Sequence, residues 1–275
     1  VETNVDTNFD YVRTLVLADA GIVLEPGKEY LLESRLAPVA KGQGLGTVHA
    51  LIDALRSGRQ PQLRRRVLDA MTTNETTFFR DAKPFEFLEE AVLPATIAAR
   101  RPQQRLRIWH AASSTGQEPY TVSMIMREKF PELQTWAIEQ FATDISQAAL
   151  DRARAGRYSQ LEVNRGLPAR YLLKYFTKHG LEWHISDAIR GMVKYEELNL
   201  NGNWPAMPRF DIIFIRNVMI YFDVAAKKKI LGRIADLLQP DGWLFLGAAE
   251  TTMNLDDRFV RTDFNRAGCY RLASS

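Results

Sequence analysis

The sequence predicts an α/β protein in two parts, an all-helical region over residues 1–84 and a sheet-and-helix domain over residues 85–275. Three observations predict it. Apolar residues in the first part recur at helical spacing. From about residue 85 short apolar runs alternate with helical stretches, the rhythm of a parallel sheet. Residues 175–198 break that rhythm, as a small antiparallel β insertion would.

Each element has a local reason. Phe9, Val12, Leu15 and Val16 share one helical face, and Gly21 follows as a C-cap. A second helix is expected from Pro26 to Lys41, with Pro26 in its first turn. Thr47 can cap a third through Leu55, and a fourth runs from Pro61 to about Met71. Phe85 to Arg100 reads as helix, Leu106 to Ala112 as strand, and Pro119 to Lys129 as helix again. Trp136 to Ala142 reads as a second strand ending in Asp144, followed by a helix from Ala148 to Ala155. Ile212 to Ile215 and Trp243 to Leu246 are strands flanking a helix from Ala225 to Leu238. Tyr175-Phe176, Leu181 to Ile185 and Met192 to Tyr195 supply the antiparallel insertion.

Composition excludes several classes. The single cysteine, Cys269, rules out a disulfide framework within the chain and a multi-thiolate metal site. The four histidines, His49, His110, His179 and His184, lack ligand spacing, so no metal is expected. A net charge of +3 is too small to argue for nucleic acid. Val1-Glu2-Thr3-Asn4 is polar and acidic, unlike a signal peptide. The apolar stretch from Ile212 to Phe222 is interrupted by Arg216 and Asn217 and is too short to span a membrane. A cytoplasmic protein is the expectation. Charge is split along the helical part: residues 1–40 carry three basic and seven acidic side chains, residues 41–70 six basic and two acidic. Such a run is ordinarily a solvated helix face, and otherwise a docking surface for an acidic partner.

The chemistry concentrates in Trp109-His110-Ala111-Ala112-Ser113-Ser114-Thr115-Gly116-Gln117-Glu118-Pro119-Tyr120. Here a strand enters a turn of small residues and then a helix, whose first N–H groups are free to meet a ligand. In open α/β sheets ligands lie beyond the C-terminal strand ends, and an acid after the second strand, here Asp144, can accept ribose hydroxyls. This is the layout of a nucleoside site; the bland alternative is a tight turn and a surface aspartate. A dinucleotide site expects G-x-G-x-x-G, and the turn holds only Gly116. Adenosylmethionine has no pyrophosphate, so one glycine can suffice.

With three further blocks the stretch resembles the CheR family of chemoreceptor methyltransferases. Ala111 to Tyr120 is similar to that family's A-x-x-S-T-G-E-E-P-Y loop; Thr73 to Arg80 to its T-N-x-T-x-F-F-R segment; Phe141 to Ile145 to its A-T-D-I block; and Phe214 to Phe222 to its C-R-N-V-x-I-Y-F block. Leu246 to Glu250 fits its G-x-x-E strand end. Gln117 replaces the first acid of the E-E pair and His110 a small residue. The lost charge at Gln117 is expected to weaken cofactor contacts unless the side chain faces solvent.

The resemblance implies a Rossmann-like S-adenosylmethionine-dependent methyltransferase domain behind a helical, receptor-docking N-terminal domain. It implies cofactor contacts from Asn74, Thr76, Arg80, Glu118, Asp144, Asn199, Leu200, Arg216 and Asn217, with Asn199 and Leu200 flanking the adenine. It places Tyr221 beside the transferred methyl and Phe78 and Phe79 at the junction of the domains. The implied reaction converts receptor glutamates to methyl esters, leaving S-adenosylhomocysteine. The implied partner is the cytoplasmic helical bundle of a methyl-accepting chemotaxis receptor, met by a monomer without nucleic acid or membrane insertion. A glutamate, with a pKa near roughly 4.3, is already ionised and needs no general base, which suits a chain without a Ser–His–Asp or Cys–His arrangement. The alternatives are a methyltransferase for nucleic acid or a small molecule, and a non-catalytic cofactor-binding module. Amino-group methylation is disfavoured because Arg216-Asn217-Val218-Met219 stands where [DN]-P-P-[YFW] is expected.

Overall fold

The computed structural model describes residues 2–58, 60–262 and 268–273, with side chains from residue 7 onward. Val1 and Arg59, which enter the charge pattern and the N-terminal reading, lie outside the described residues.

Four helices come first: α1 (Glu2–Ala20), α2 (Tyr30–Gly42), α3 (Val48–Arg56) and α4 (Pro61–Met71). Their apolar stripes meet in one core around Val12, Leu36, Leu51, Ile52 and Val67. Gly21 ends α1 at φ 72° and donates to Leu17 O. The Thr47 hydroxyl caps α3 by accepting from Ala50 N at 3.2 Å. The expected start of α2 at Pro26 is corrected to Tyr30. Gly27 takes φ 86° and its N–H goes to the Glu29 carboxylate at 3.0 Å, so this stretch turns before the helix begins.

The second part begins with α5 (Lys83–Phe87), a π-helical turn (Leu88–Val92) and α6 (Leu93–Arg100), then β1 (Arg105–Ala111) and α7 (Gln117–Lys129). After a 3₁₀ turn (Pro131–Thr135) come β2 (Ala137–Asp144), α8 (Gln147–Ala155), β3 (Arg157–Ser159), α9 (Gln160–Asn164) and α10 (Ala169–Tyr175). They are followed by β4 (Phe176–His179), β5 (Glu182–Ile185), α11 (Asp187–Arg190), β6 (Val193–Glu197) and β7 (Phe210–Ile215). A 3₁₀ turn (Met219–Tyr221), α12 (Val224–Leu237), β8 (Leu238–Leu246), β9 (Phe259–Arg261) and β10 (Cys269–Leu272) complete the chain.

The main sheet has the order β6-β2-β1-β7-β8-β10-β9. Its first five strands are parallel, and β10 and β9 add antiparallel at one edge. Both faces are covered, which is why Ile212 to Ile215 of β7 read as an unbroken apolar run. Ile213 and Ile215 pack with Ile230, Leu231 and Ile234 of α12 on one face; Ile212 and Phe214 pack with Leu88, Leu93, Val122 and Ile125 on the other. This α/β/α sandwich behind a helical bundle is the expected fold class.

The insertion differs from expectation. The small antiparallel sheet is β3-β5-β4, so it gains Arg157–Ser159 and loses Met192–Tyr195. Val193–Glu197 instead lies parallel to β2 as an edge strand of the main sheet. Its alternating burial serves a half-covered edge in either sheet, so the local pattern does not choose between them.

Candidate functional site

The central strand β1 connects leftward to β2 and pairs on its right with β7, so the strand order reverses there. A crevice opens beyond the C-terminal strand ends at such a point. Here it is a cleft that both parts of the chain line. Ala112–Ser114 after β1, Asp144–Ile145 after β2, Leu198–Leu200 after β6 and Arg216–Val218 after β7 line it. The segment joining the two parts adds Thr72–Thr76 and Arg80, and the end of α1 adds Ala20 and Ile22. All ten expected site residues, Asn74, Thr76, Arg80, Glu118, Asp144, Asn199, Leu200, Arg216, Asn217 and Tyr221, line this one cleft.

The turn after β1 is held from several sides. Ala112 and Ser114 adopt φ 61° and 51°, left-handed conformations that non-glycine residues keep only when their surroundings impose them. Ser113 N donates to Thr143 O at 2.9 Å, the Ser114 hydroxyl to Asn74 O at 2.8 Å, and the Tyr158 hydroxyl to Thr115 O at 2.8 Å. Gly116, at φ 93°, then opens α7. Asp144 accepts Ser114 N at 2.8 Å on one oxygen and Ser146 N at 2.9 Å on the other. The carboxylate keeps acceptor capacity for a further donor. Burial raises the Asp144 pKa above its ordinary value, over the opposing pull of the Ser146, Ser114 and Ile145 N–H groups.

Arg216 is the hub of the opposite wall. It reaches Glu118 at 3.0 Å, Arg80 O at 2.8 Å and Asp81 at 3.0 Å, and its guanidinium lies over the Phe85 ring. Glu118 holds Arg216 with one oxygen and His110 Nδ1, at 3.2 Å, with the other. Burial alone would raise the Glu118 pKa, but the His110 hydrogen bond and the Arg216 charge prevail and hold it below its ordinary 4.5. Arg80 donates to Glu75 O at 2.8 Å. Asn199 spends its amide locally: Nδ2 donates to Asp19 O at the end of α1, and Oδ1 accepts Asn201 N at 3.0 Å. Phe78 packs edge-on to Tyr158 and Phe176 beside the small sheet, and Phe79 meets Phe85 and Tyr171.

Gln117 does not face solvent; it is buried and accepts the Thr115 hydroxyl at 2.7 Å. It is absent from the cleft lining, so its missing charge acts on the turn rather than on the cavity. Sequence reasoning missed the role of Glu250. Its carboxylate gathers four backbone N–H groups, those of Asn217, Val218, Met219 and Gly247, at 2.6 to 2.9 Å. This fixes the loop after β7, where Asn217 sits at φ 57°. The G-x-x-E spacing was the available signal: a Cβ on Gly247 would stand 2.6 Å from Glu250 Oε2. Also unforeseen was the wall from α1, where Ile22 bridges Phe222 and Val23 N donates to Tyr221 O at 2.8 Å.

The cleft presents three carboxylates, those of Glu75, Glu118 and Asp144, two guanidiniums and apolar surfaces from Ile22, Ile145, Leu200 and Phe222, and its lining holds no histidine, cysteine or lysine. Among the described residues, Ser113 Oγ and Arg216 Nε, both on lining residues, are buried without a hydrogen-bond partner. Such a cavity fits a charged nucleoside: acceptors for hydroxyls and ammonium groups, cations for a carboxylate, and apolar faces for a base. That donor set is the one S-adenosylmethionine requires. No group of three or more His, Cys, Asp or Glu side chains among the described residues is arranged to hold a metal. No helix of the described residues is long and apolar enough to cross a membrane.

Comparison with known proteins gives concordant matches. Residues 7–72 match the family model described as CheR methyltransferase, all-alpha domain, and residues 74–267 that described as CheR methyltransferase, SAM binding domain. The sequence is 41% identical over 271 residues to chemotaxis protein methyltransferase 1 of Pseudomonas aeruginosa, covering 97% of this chain and 98% of that one. It is 40% identical to chemotaxis protein methyltransferase Cher2 of Pseudomonas putida, covering 92% and 93%, and 39% identical to the chemotaxis protein methyltransferase of Vibrio parahaemolyticus, covering 93% of each.

Proposed function

The chain belongs to the CheR methyltransferase family, and from that premise we propose that it methylates glutamate side chains of chemoreceptors, at the cleft at the sheet's switch point. It is an S-adenosylmethionine-dependent methyltransferase of chemotaxis. The observation that carries the finer reading is the convergence of Asn74, Thr76, Arg80, Glu118, Asp144, Asn199, Leu200, Arg216, Asn217 and Tyr221 on one cavity from five separate stretches of chain.

When bound, S-adenosylmethionine supplies a methyl group on a sulfonium, already electrophilic. The residues of the chain bind and orient. Asp144, with acceptor capacity left on its carboxylate, accepts the ribose hydroxyls. Leu200 covers the face of the base, and Asn199 holds the loop that carries Leu200 against α1. Glu118 offers negative charge toward the cationic part of the ligand, while Arg216 and Arg80 face its carboxylate. Tyr221 stands on the cleft wall held by Val23 and borders the substrate's approach.

A receptor glutamate, pKa roughly 4.3 in water, arrives ionised and attacks without a general base. The protein aligns the reacting atoms and excludes water from them. This accords with a lining that holds three carboxylates but no histidine, cysteine or lysine. The helical bundle α1–α4 is the natural surface for the receptor, although Arg64 and Arg65 of its basic run are engaged internally with Asp19 and Glu197.

The test is transfer of labelled methyl from S-adenosylmethionine to receptor cytoplasmic fragments. Base-labile label on glutamate is expected. No label on any receptor fragment, from protein that binds the cofactor, would overturn the substrate assignment, and base-stable label on RNA or DNA would replace it.

A further inference from the structure

Behind Glu118 lies a chain of buried polar side chains that the reaction itself does not use. His110, on β1, is completely buried, and its ring stacks on Phe214 of β7 with centroids 4.9 Å apart. Its Nδ1 meets Glu118 Oε1 at 3.2 Å and its Nε2 meets Gln140 Oε1 at 3.2 Å. Gln140, on β2, in turn donates Nε2 to the Ser123 hydroxyl at 2.8 Å, and that hydroxyl donates to Pro119 O at 2.9 Å. Strands β1 and β2 and helix α7 thus contribute to one line of hydrogen bonds that ends on a carboxylate lining the cleft.

Donor accounting gives this line a direction. An ionised carboxylate only accepts, so His110 Nδ1 must carry the proton that joins it to Glu118. The amide of Gln140, set by Ser123, presents its oxygen to Nε2. Both ring nitrogens therefore face oxygens, which holds the ring in one orientation. The other Glu118 oxygen is taken by Arg216, so the carboxylate is gripped at both ends and its plane is fixed relative to the cavity.

We propose that His110 is a positioning residue for cofactor binding, acting through Glu118: its Nδ1–H fixes the carboxylate while Gln140 and Ser123 fix the ring. This rests on Glu118 facing the cofactor, as assigned above. Position 110 sets the strength of the cofactor site without touching the ligand, since His110 does not line the cleft.

Calorimetric titration of S-adenosylhomocysteine into four purified full-length variants, each first melted to establish its folded fraction, tests the idea. In His110→Asn the side-chain amide overlies Nδ1 and can still donate to Glu118; in His110→Gln it overlies Nε2 and cannot. The expected result is near-normal affinity for His110→Asn and a loss of about ten-fold or more for His110→Gln, the range for a hydrogen bond to a charged group. Glu118→Gln alone should weaken binding, and the double variant His110→Gln/Glu118→Gln should bind no worse than Glu118→Gln, because residues acting through one another are not additive. Equal affinity of His110→Asn and His110→Gln, or losses that add in the double variant, would overturn the positioning role and leave His110 as packing. Wild-type affinity in Glu118→Gln would instead remove the premise that Glu118 faces the cofactor.

Discussion

Glu250 concentrates on one side chain the stiffness of the wall that carries Arg216 and Asn217. Four backbone N–H groups converge on its two oxygens, and it is almost fully buried. Glutamine there keeps the shape but turns an NH₂ group toward donors, leaving some of them unsatisfied. Glu250→Gln is expected to lower stability by about 2–4 kcal/mol and to weaken S-adenosylhomocysteine binding, read by urea denaturation and calorimetry. Glu118 carries a pH signature. Its folded-state pKa lies below the ordinary 4.5, so the stability it contributes is complete above that value and is lost as pH falls through the folded-state pKa. The stability difference between wild type and Glu118→Gln should stay constant from neutrality down to about pH 5 and shrink below it. A difference that stays flat through the acid range would contradict the charge state inferred for the pair with Arg216. At this scale the sequence was most legible where a residue's role is to line the cavity, as at Asp144 and Arg216. It was least legible where the role is to hold another residue. Nothing local in His110 discloses its partner eight residues away, and the G-x-x-E spacing marks Gly247 for Glu250 but not the loop some thirty residues before it.

Among the elements, the strand–turn–helix of β1 and α7 depends on Gly116. At φ 93° an L side chain is strained, and an added Cβ would lie 2.8 Å from the Tyr195 hydroxyl and 3.0 Å from Ala153 Cβ. Gly116→Ala is expected to destabilise the protein by about 2–4 kcal/mol and to reduce cofactor affinity with it, since Tyr195, Ala153 and the turn must all shift. A melting temperature unchanged from wild type would refute the strain. The same element was readable from sequence because a buried strand, a small-residue turn and a helix with proline in its first turn each leave a local mark. The edge strand β6 was not. Its pairing with β2 is made some fifty residues away, and five residues of alternating burial fit an antiparallel hairpin equally well. Arg157–Ser159 is three residues long and carries no pattern at all, yet it closes the small sheet. The antiparallel strands β9 and β10 went unread for a similar reason, since they are three and four residues long.

Over the whole molecule, the helical bundle and the sheet domain share the cleft. Val23 N bonds Tyr221 O, Asn199 bonds Asp19 O, Arg65 pairs with Glu197, and Arg35 of α2 donates to Met71 O and Thr72 O at the exit of α4. A ligand in the cleft touches both parts and should stabilise them together. S-adenosylhomocysteine at a hundred times its dissociation constant is expected to add about 2.7 kcal/mol to unfolding, in a single transition. Hydrogen exchange should slow at the Val23 amide as well as around Ser114. Protection confined to the sheet would mean that the bundle does not close on the ligand.

The position of Glu250 along the chain has a consequence for synthesis. A ribosome delivers the bundle first, and the core around Leu36, Leu51 and Val67 can form from the first 71 residues alone. Strands β1, β2 and β7 follow, but the loop after β7 has no acceptor for its N–H groups until residue 250 emerges. A growing chain of 230 residues thus carries all ten of the cleft-lining residues named above while the loop after β7 still lacks that acceptor. A chain that ends before residue 250 is therefore expected to hold this loop loosely, read as faster hydrogen exchange at the Asn217, Val218 and Met219 amides than in the whole chain.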